Sequence, residues 1–99
     1  MMNETQYRNH LEKTIKEIFP ACFILRNDAK NIQGIPDIIV LCGWTWAMLE
    51  IKISEDAPVQ PNQSYYIDLF DQMGFSAFIY PDNEWEILME MVGYFDAHS

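Results

Sequence analysis

The most constraining stretch of this chain is Gly34-Ile-Pro-Asp37, followed after a twelve-residue gap by Glu50-Ile-Lys52. Two short runs fill the gap, Ile38–Cys42 and Thr45–Leu49. Both are apolar and rich in β-branched or aromatic residues, so they read as strands. Gly43-Trp44 lies between them and suits a two-residue loop with glycine first, the signature of a type II′ turn. A turn that tight fixes the register. If Cys42 faces Thr45, each step back along one strand matches a step forward along the other, and Asp37 faces Glu50. Their Cβ atoms would then lie roughly 4.5–5.5 Å apart. Lys52, two residues beyond Glu50, shares that face.

Facing carboxylates repel unless one is protonated or a cation lies between them. Oxygen ligands at this separation, completed by water, suit a hard divalent ion such as Mg²⁺ or Mn²⁺. An adjacent ammonium suits orientation of a water or stabilisation of charge on a phosphate. Taken one residue at a time, the same groups also fit an ordinary solvated strand end. The combination is more specific. Gly-Ile-Pro-Asp, the twelve-residue gap and Glu-Ile-Lys together resemble the PD-(D/E)XK nucleases, in particular the VRR-Nuc branch and the related archaeal-type Holliday-junction resolvases.

The order of elements agrees with that resemblance. Asn3 can cap a helix over about Glu4–Ile18, with Tyr7, Leu11, Ile15 and Ile18 as its inner stripe and Pro20 ending it. Ala21–Arg26 reads as a first strand, apolar on both faces and therefore expecting helices on both sides. Pro36 fixes φ at a strand start, and Gly34 permits a bend before it. Pro61 suits the first position of a helix running to Met73, which Gly74 ends, with Tyr66, Leu69, Phe70 and Met73 as its buried stripe. Phe75–Tyr80 reads as a fourth strand, parallel to the third through a right-handed crossover. Asn83 and Glu86 have capping-box spacing before a last helix, with Trp85, Leu88, Met89 and Val92 inward. The expected fold is one α/β (α+β) domain over residues 1–99. It has a restriction-endonuclease-like α-β-β-β-α-β core, a four-stranded mixed sheet flanked by helices, and one extra C-terminal helix.

The resemblance implies roles. Asp37, Glu50 and the backbone carbonyl of Ile51 would hold Mg²⁺ or Mn²⁺. A glutamate of the first helix would stand near; Glu4 fits that position and Glu12 is the alternative. Lys52 would act with Asp37 and Glu50 in catalysis. Gln63, in the first turn of the second helix, matches a family glutamine that reaches the site; Gln60 is a weaker match. Arg26, Asn27 and Lys30 fall in the segment that approaches nucleic acid. The implied activity is metal-dependent hydrolysis of DNA phosphodiesters, with branched or junction DNA as the expected substrate. Stand-alone domains of this size are typical of phages and mobile elements, and small relatives act as homodimers. Tyr94, Phe95 and Met91 are the apolar residues that suggest a dimer contact here.

Composition sets limits. At 99 residues the chain has room for one modest core. No basic start leads into an apolar run, and no stretch is long enough to span a bilayer, so an intracellular, cytoplasmic protein without a membrane segment is expected. Cys22 and Cys42 lack metal-ligand spacing; reduced core thiols are expected, with a disulfide left open. The net charge of −9 opposes binding to a polyanion. Residues 1–34 carry five basic and four acidic side chains, whereas residues 53–99 carry nine acidic ones and no Lys or Arg. Phosphate contacts must therefore come from the N-terminal third and Lys52. The acidic C-terminal half supports the alternative function, a catalytically silent nuclease-fold module that binds a basic protein.

Overall fold

The computed structural model describes residues 2–99. Helix α1 (Glu4–Ile18) precedes strands β1 (Phe23–Arg26), β2 (Ile38–Cys42) and β3 (Thr45–Ile51). Helix α2 (Pro61–Met73), strand β4 (Phe75–Ile79) and helix α3 (Glu84–Ala97) follow. The strands form one mixed sheet in the order β1-β2-β3-β4. The first three are antiparallel, and β4 runs parallel to β3 after the α2 crossover. This is the expected α-β-β-β-α-β core with a final helix.

The turn chemistry holds. Cys42 pairs with Thr45 and Ile38 with Leu49, the register the two-residue loop dictates. Gly43 has φ of 61°, and among the described residues no other residue type has positive φ, so the loop is of the II′ kind. Asn3 caps α1 as expected: its Oδ1 accepts from the Gln6 N–H at 2.8 Å, and Gln6 Oε1 accepts from the Asn3 N–H at 3.0 Å. That reciprocal pair satisfies two amides of the helix start.

Strand alternation splits the sheet into two faces. One carries Ile38, Val40, Ala47, Leu49, Ile51 and Ile79, buried against Tyr7, Leu11 and Ile15 of α1 and Leu88, Met91 and Phe95 of α3. Tyr7 Oη donates to Glu84 at 2.9 Å and so ties the starts of α1 and α3. The other face carries Asp37, Ile39, Leu41, Trp46, Met48 and Glu50, and α2 covers it only over β3 and β4.

That half-covering corrects several expectations. β1 is an edge strand, and Phe23 (64% exposed) and Leu25 stand bare on the α2 face rather than under a helix. Along α2, Ile67 is the buried residue; Tyr66, Leu69 and Phe70 are half-buried and Met73 is 65% exposed. The helix is turned because its end meets the sheet through Gly74, where an added Cβ would lie 2.8 Å from the Trp46 ring. Along α3 the buried residues are Leu88, Met91 and Phe95, while Trp85 is 71% exposed. Met91 and Phe95 are thus core residues, so they cannot supply the dimer contact expected of them. Asn83 does not cap α3 with its side chain. Its amide instead bridges β4, accepting from the Tyr80 N–H at 2.8 Å and donating to the Phe78 carbonyl at 3.1 Å.

The two sheet edges differ. On β4, Asn83 and Asp71, which accepts from the Ser76 N–H at 3.2 Å, blunt the outer backbone groups. β1 has no such side-chain caps among the described residues. Cys22 lies one register step before Phe23 and opposite Cys42, and the two form a disulfide in place of the reduced thiols expected, because the β1–β2 register makes them direct neighbours. The structure contains no helix long and apolar enough to cross a membrane, among the described residues.

Truncating the two faces of α3 should separate the observed packing from the expected one. Met91→Ala should lose about 2–5 kcal/mol in chemical denaturation. Trp85→Ala should change stability by no more than about 0.5–1 kcal/mol. The reverse ranking would restore the expected stripe.

Candidate functional site

Asp37 directly precedes β2, and continuing the observed register one step beyond the Ile38–Leu49 pair sets it opposite Glu50, whose carboxyl it hydrogen-bonds. Each acid is held from a different direction. Asn27 donates its backbone N–H to the Asp37 carbonyl and its side-chain Nδ2 to the Pro36 carbonyl, both at 2.8 Å. These bonds fasten the corner before β2 to the end of β1. The Asp37 carboxylate then accepts from the Ile51 N–H at 2.7 Å. In a strand a residue's N–H and C=O leave on the same edge, so the Ile51 carbonyl also faces the Asp37 side.

Glu50 is 3% exposed. Its carboxyl is pushed up to about 8, first by burial, then by the charge of Asp37 and a hydrogen bond with it. Lys52 pulls the other way, and Glu4 adds a smaller push upward. The acids therefore form a pair that retains a proton at neutral pH, and a cation between them would take over that proton's part.

Lys52 and Gln63 complete the cluster. Lys52 Nζ donates to Gln63 Oε1 at 2.9 Å and to the Pro58 carbonyl at 3.0 Å, and lies 3.9 Å from Glu50 Oε2. Gln63 Nε2 donates to Glu50 Oε2 at 3.3 Å. Gln63 Oε1 also accepts from the Gln60 N–H at 3.0 Å, so one amide closes the start of α2 and bridges ammonium and carboxylate. The Lys52 N–H bonds the Ile79 carbonyl of β4 at 2.9 Å, which fixes the backbone beneath it.

The remaining candidates separate. Glu4 is exposed at the start of α1, close enough to act on Glu50 through its charge. Glu12 is engaged elsewhere: it receives Arg26 Nε at 2.9 Å and Nη2 at 2.8 Å, with Asn9 Oδ1 also taking Nη2 at 3.2 Å. Arg26 thus reaches toward α1 on the core side of the sheet, away from the acid pair. Asn27 has its amide on Pro36, and Lys30 sits exposed on the loop. Among the described residues no three His, Cys, Asp or Glu side chains converge as a metal cluster. The donor set is therefore two carboxylates with a backbone carbonyl beside them, all oxygen, which fits a hard and partly hydrated ion such as Mg²⁺ or Mn²⁺. The sequence had not singled out Pro58, whose carbonyl holds Lys52, or Asn62, beside Gln63. Neither has a residue-type signal of its own.

No family model matches the sequence, and no curated protein matches it significantly. Solved structures do share its fold. One described as a "VRR_NUC domain protein" superposes with a TM-score of 0.72 at 16% identity, covering 95% of this chain and 91% of that one. Another, described as a "VRR_NUC domain", gives 0.61 at 21% identity over 82% and 92%. The chain has the VRR-Nuc fold, as its motif implied.

Because Glu50 is raised above its unfolded value, its contribution to stability is complete below the ordinary carboxylate range and is lost as pH rises through about 8. Without divalent ions, Glu50→Gln should therefore melt higher than wild type at about pH 9. The two should converge at about pH 5, with each kcal/mol worth about 4–8 °C. Thermal unfolding in chelator checks this; an equal gap at both pH values would refute the repulsion.

Proposed function

We propose that this chain is a metal-dependent endonuclease that hydrolyses DNA phosphodiester bonds, with branched or junction DNA as its preferred substrate. The observation that carries the reading is the buried Glu50 facing Asp37, with Lys52 held over them by Gln63. A surface ion pair would not require this, since exposed pairs contribute little and need no second amide to orient them. The fold shared with VRR_NUC domain structures supports the same reading. The preference for branched DNA rests on the motif resemblance.

In this mechanism Asp37 and Glu50, with the Ile51 carbonyl, would hold Mg²⁺ or Mn²⁺, and Glu4 adds negative charge at the rim. The chemistry such an ion would supply is Lewis-acid polarisation of the scissile phosphate and a lowered pKa for an attacking water. Lys52 cannot fold back fully onto Glu50, because Gln63 Oε1 and the Pro58 carbonyl hold its ammonium. Its third donor remains for a phosphate oxygen or the water, where charge develops in the transition state. Gln63 keeps the Glu50 carboxylate turned toward the pair. Lys30, exposed on the loop between β1 and β2, would take a backbone phosphate. Arg26, paired with Glu12 on the other side of the sheet, would meet only DNA that extends past the site, and Asn27 serves by holding the corner. Action on DNA in the cytoplasm belongs to the same reading.

The enzyme reading also includes a homodimer, and the bare edge of the sheet supports one. The Asn27 N–H bonds Asp37, so by alternation the N–H and C=O of Ile24 and Arg26 point outward from β1. An antiparallel meeting of two copies about Leu25 would pair those groups with each other and cover Phe23 and Leu25.

Asp37→Ala should fold normally and lose cleavage of labelled junction, flap and duplex DNA by at least about 1,000-fold. Mg²⁺ or Mn²⁺ should raise the melting temperature of wild type but not of Glu50→Ala. Cleavage at wild-type rate by Asp37→Ala would reject the assignment. Absence of both cleavage and metal stabilisation in wild type would favour the binding-module alternative. For the dimer, Leu25→Glu should change the sedimenting species from dimer to monomer; a wild-type monomer would refute it.

A further inference from the structure

The corner that delivers Asp37 is pressed against the start of α2. Gly34 has φ of 88°, and a Cβ there would lie 2.8 Å from Asn62 Cγ and 2.9 Å from the Asn62 carbonyl carbon. The close approach is to backbone as well as side chain, so no larger residue fits without moving the helix. The Asn62 Nδ2 group donates to the Gln33 carbonyl at 3.1 Å and closes the contact. The Ile35 N–H bonds the Ile32 carbonyl at 3.2 Å, and Pro36 is buried with its φ fixed by its ring. The segment from Gln33 to Asp37 is therefore short and stiff.

Both sides of this contact carry site residues. Asp37 rides on the corner, whose other side Asn27 fastens to β1. Gln63 is the next residue after Asn62 on α2, and its amide spans Lys52 and Glu50. The strand ladder alone sets Asp37 against Glu50. Nothing in the ladder sets α2 against them, since α2 follows a loop of residues 52–60 without regular structure.

We propose that Asn62 is a positioning residue: by bridging α2 to the Gly34 corner it sets where Gln63 and Lys52 stand relative to the Asp37–Glu50 pair. This rests on the catalytic reading above and adds the element that aligns its two halves. Asn62 touches neither acid nor ammonium, and its effect passes through Gln63. It has no place in holding DNA or in forming the acid pair.

The test uses the full chain. Asn62→Ala and the near-isosteric Asn62→Asp, which lacks the donor, should each lower kcat for junction cleavage at saturating Mn²⁺ by about tenfold or more, as expected when reacting groups are misplaced. KM for DNA should stay within about twofold. In the metal-free protein the side-chain amide signal of Gln63, identified by its loss in Gln63→Ala, should move toward that of a free amide in both variants. An unchanged kcat, a loss confined to KM, or an unmoved Gln63 amide would overturn the proposal; the second would make Asn62 a DNA contact. A wild-type protein that neither cleaves nor is stabilised by metal would instead overturn the nuclease reading and this inference with it.

Discussion

The structure depends on an electrostatic conflict that it does not relieve. Two carboxyl groups are set side by side at the start of a β-hairpin, one of them almost wholly buried. Burial and mutual repulsion both disfavour the doubly charged state, so the isolated protein keeps a proton where a cation fits. An apolar pair at the same register would pack without that cost. Arrangements of this kind, in which desolvation and a specific charged neighbour act on one group, are concentrated at functional sites. The surroundings are built to preserve the conflict. Ile51 donates to Asp37, Gln63 donates to Glu50, and Lys52 is held off Glu50 at 3.9 Å by two other acceptors.

Topology explains why those supports converge. The hairpin turn fixes the acids, and the strand carrying Glu50 continues straight to Lys52 on the same face. A parallel fourth strand requires a crossover, and the crossover helix must lie on one face of the sheet. Here it lies on the face that bears the acids, so its first turn arrives where Gln63 is needed. Pro61 opens that turn, and Gly74 ends the helix against Trp46. The opposite face, buried by α1 and α3, supplies the rigid platform and takes no part beyond Glu4 at the rim.

The hairpin and its acid pair were legible in the sequence because a two-residue turn leaves no freedom in register. The ends of α1 and α2 were legible for similar local reasons: a capping asparagine, a proline at a helix start, a glycine at a helix end. The rotation of α2 and α3 was not. Their apolar residues outnumber those that one face can bury, so periodicity allows neighbouring stripes, and only Gly74 against Trp46 or Asn83 across β4 decides among them. The disulfide was hidden for a different reason. A long polar loop joins β1 to β2, and no turn rule carries register across it, although the observed pairing makes Cys22 and Cys42 direct neighbours. Asn62 was invisible because its partner is a backbone carbonyl twenty-nine residues away.

The net charge of −9 remains the strongest objection to a DNA-cleaving reading, and the structure changes its meaning. What a phosphodiester meets at short range is the local field, since exposed charges farther than about 8–10 Å are largely screened in physiological salt. At the site that field comes from Asp37, Glu50, Glu4 and Lys52, and without a metal it is repulsive. A divalent ion held by the pair would take the place of the shared proton, so it would change the local charge by less than two units while adding positive charge beside Lys52. Lys52 would then be the second positive group beside that ion instead of a lone cation among acids. If the proposed function holds, the acidic composition would make productive contact with DNA conditional on the ion.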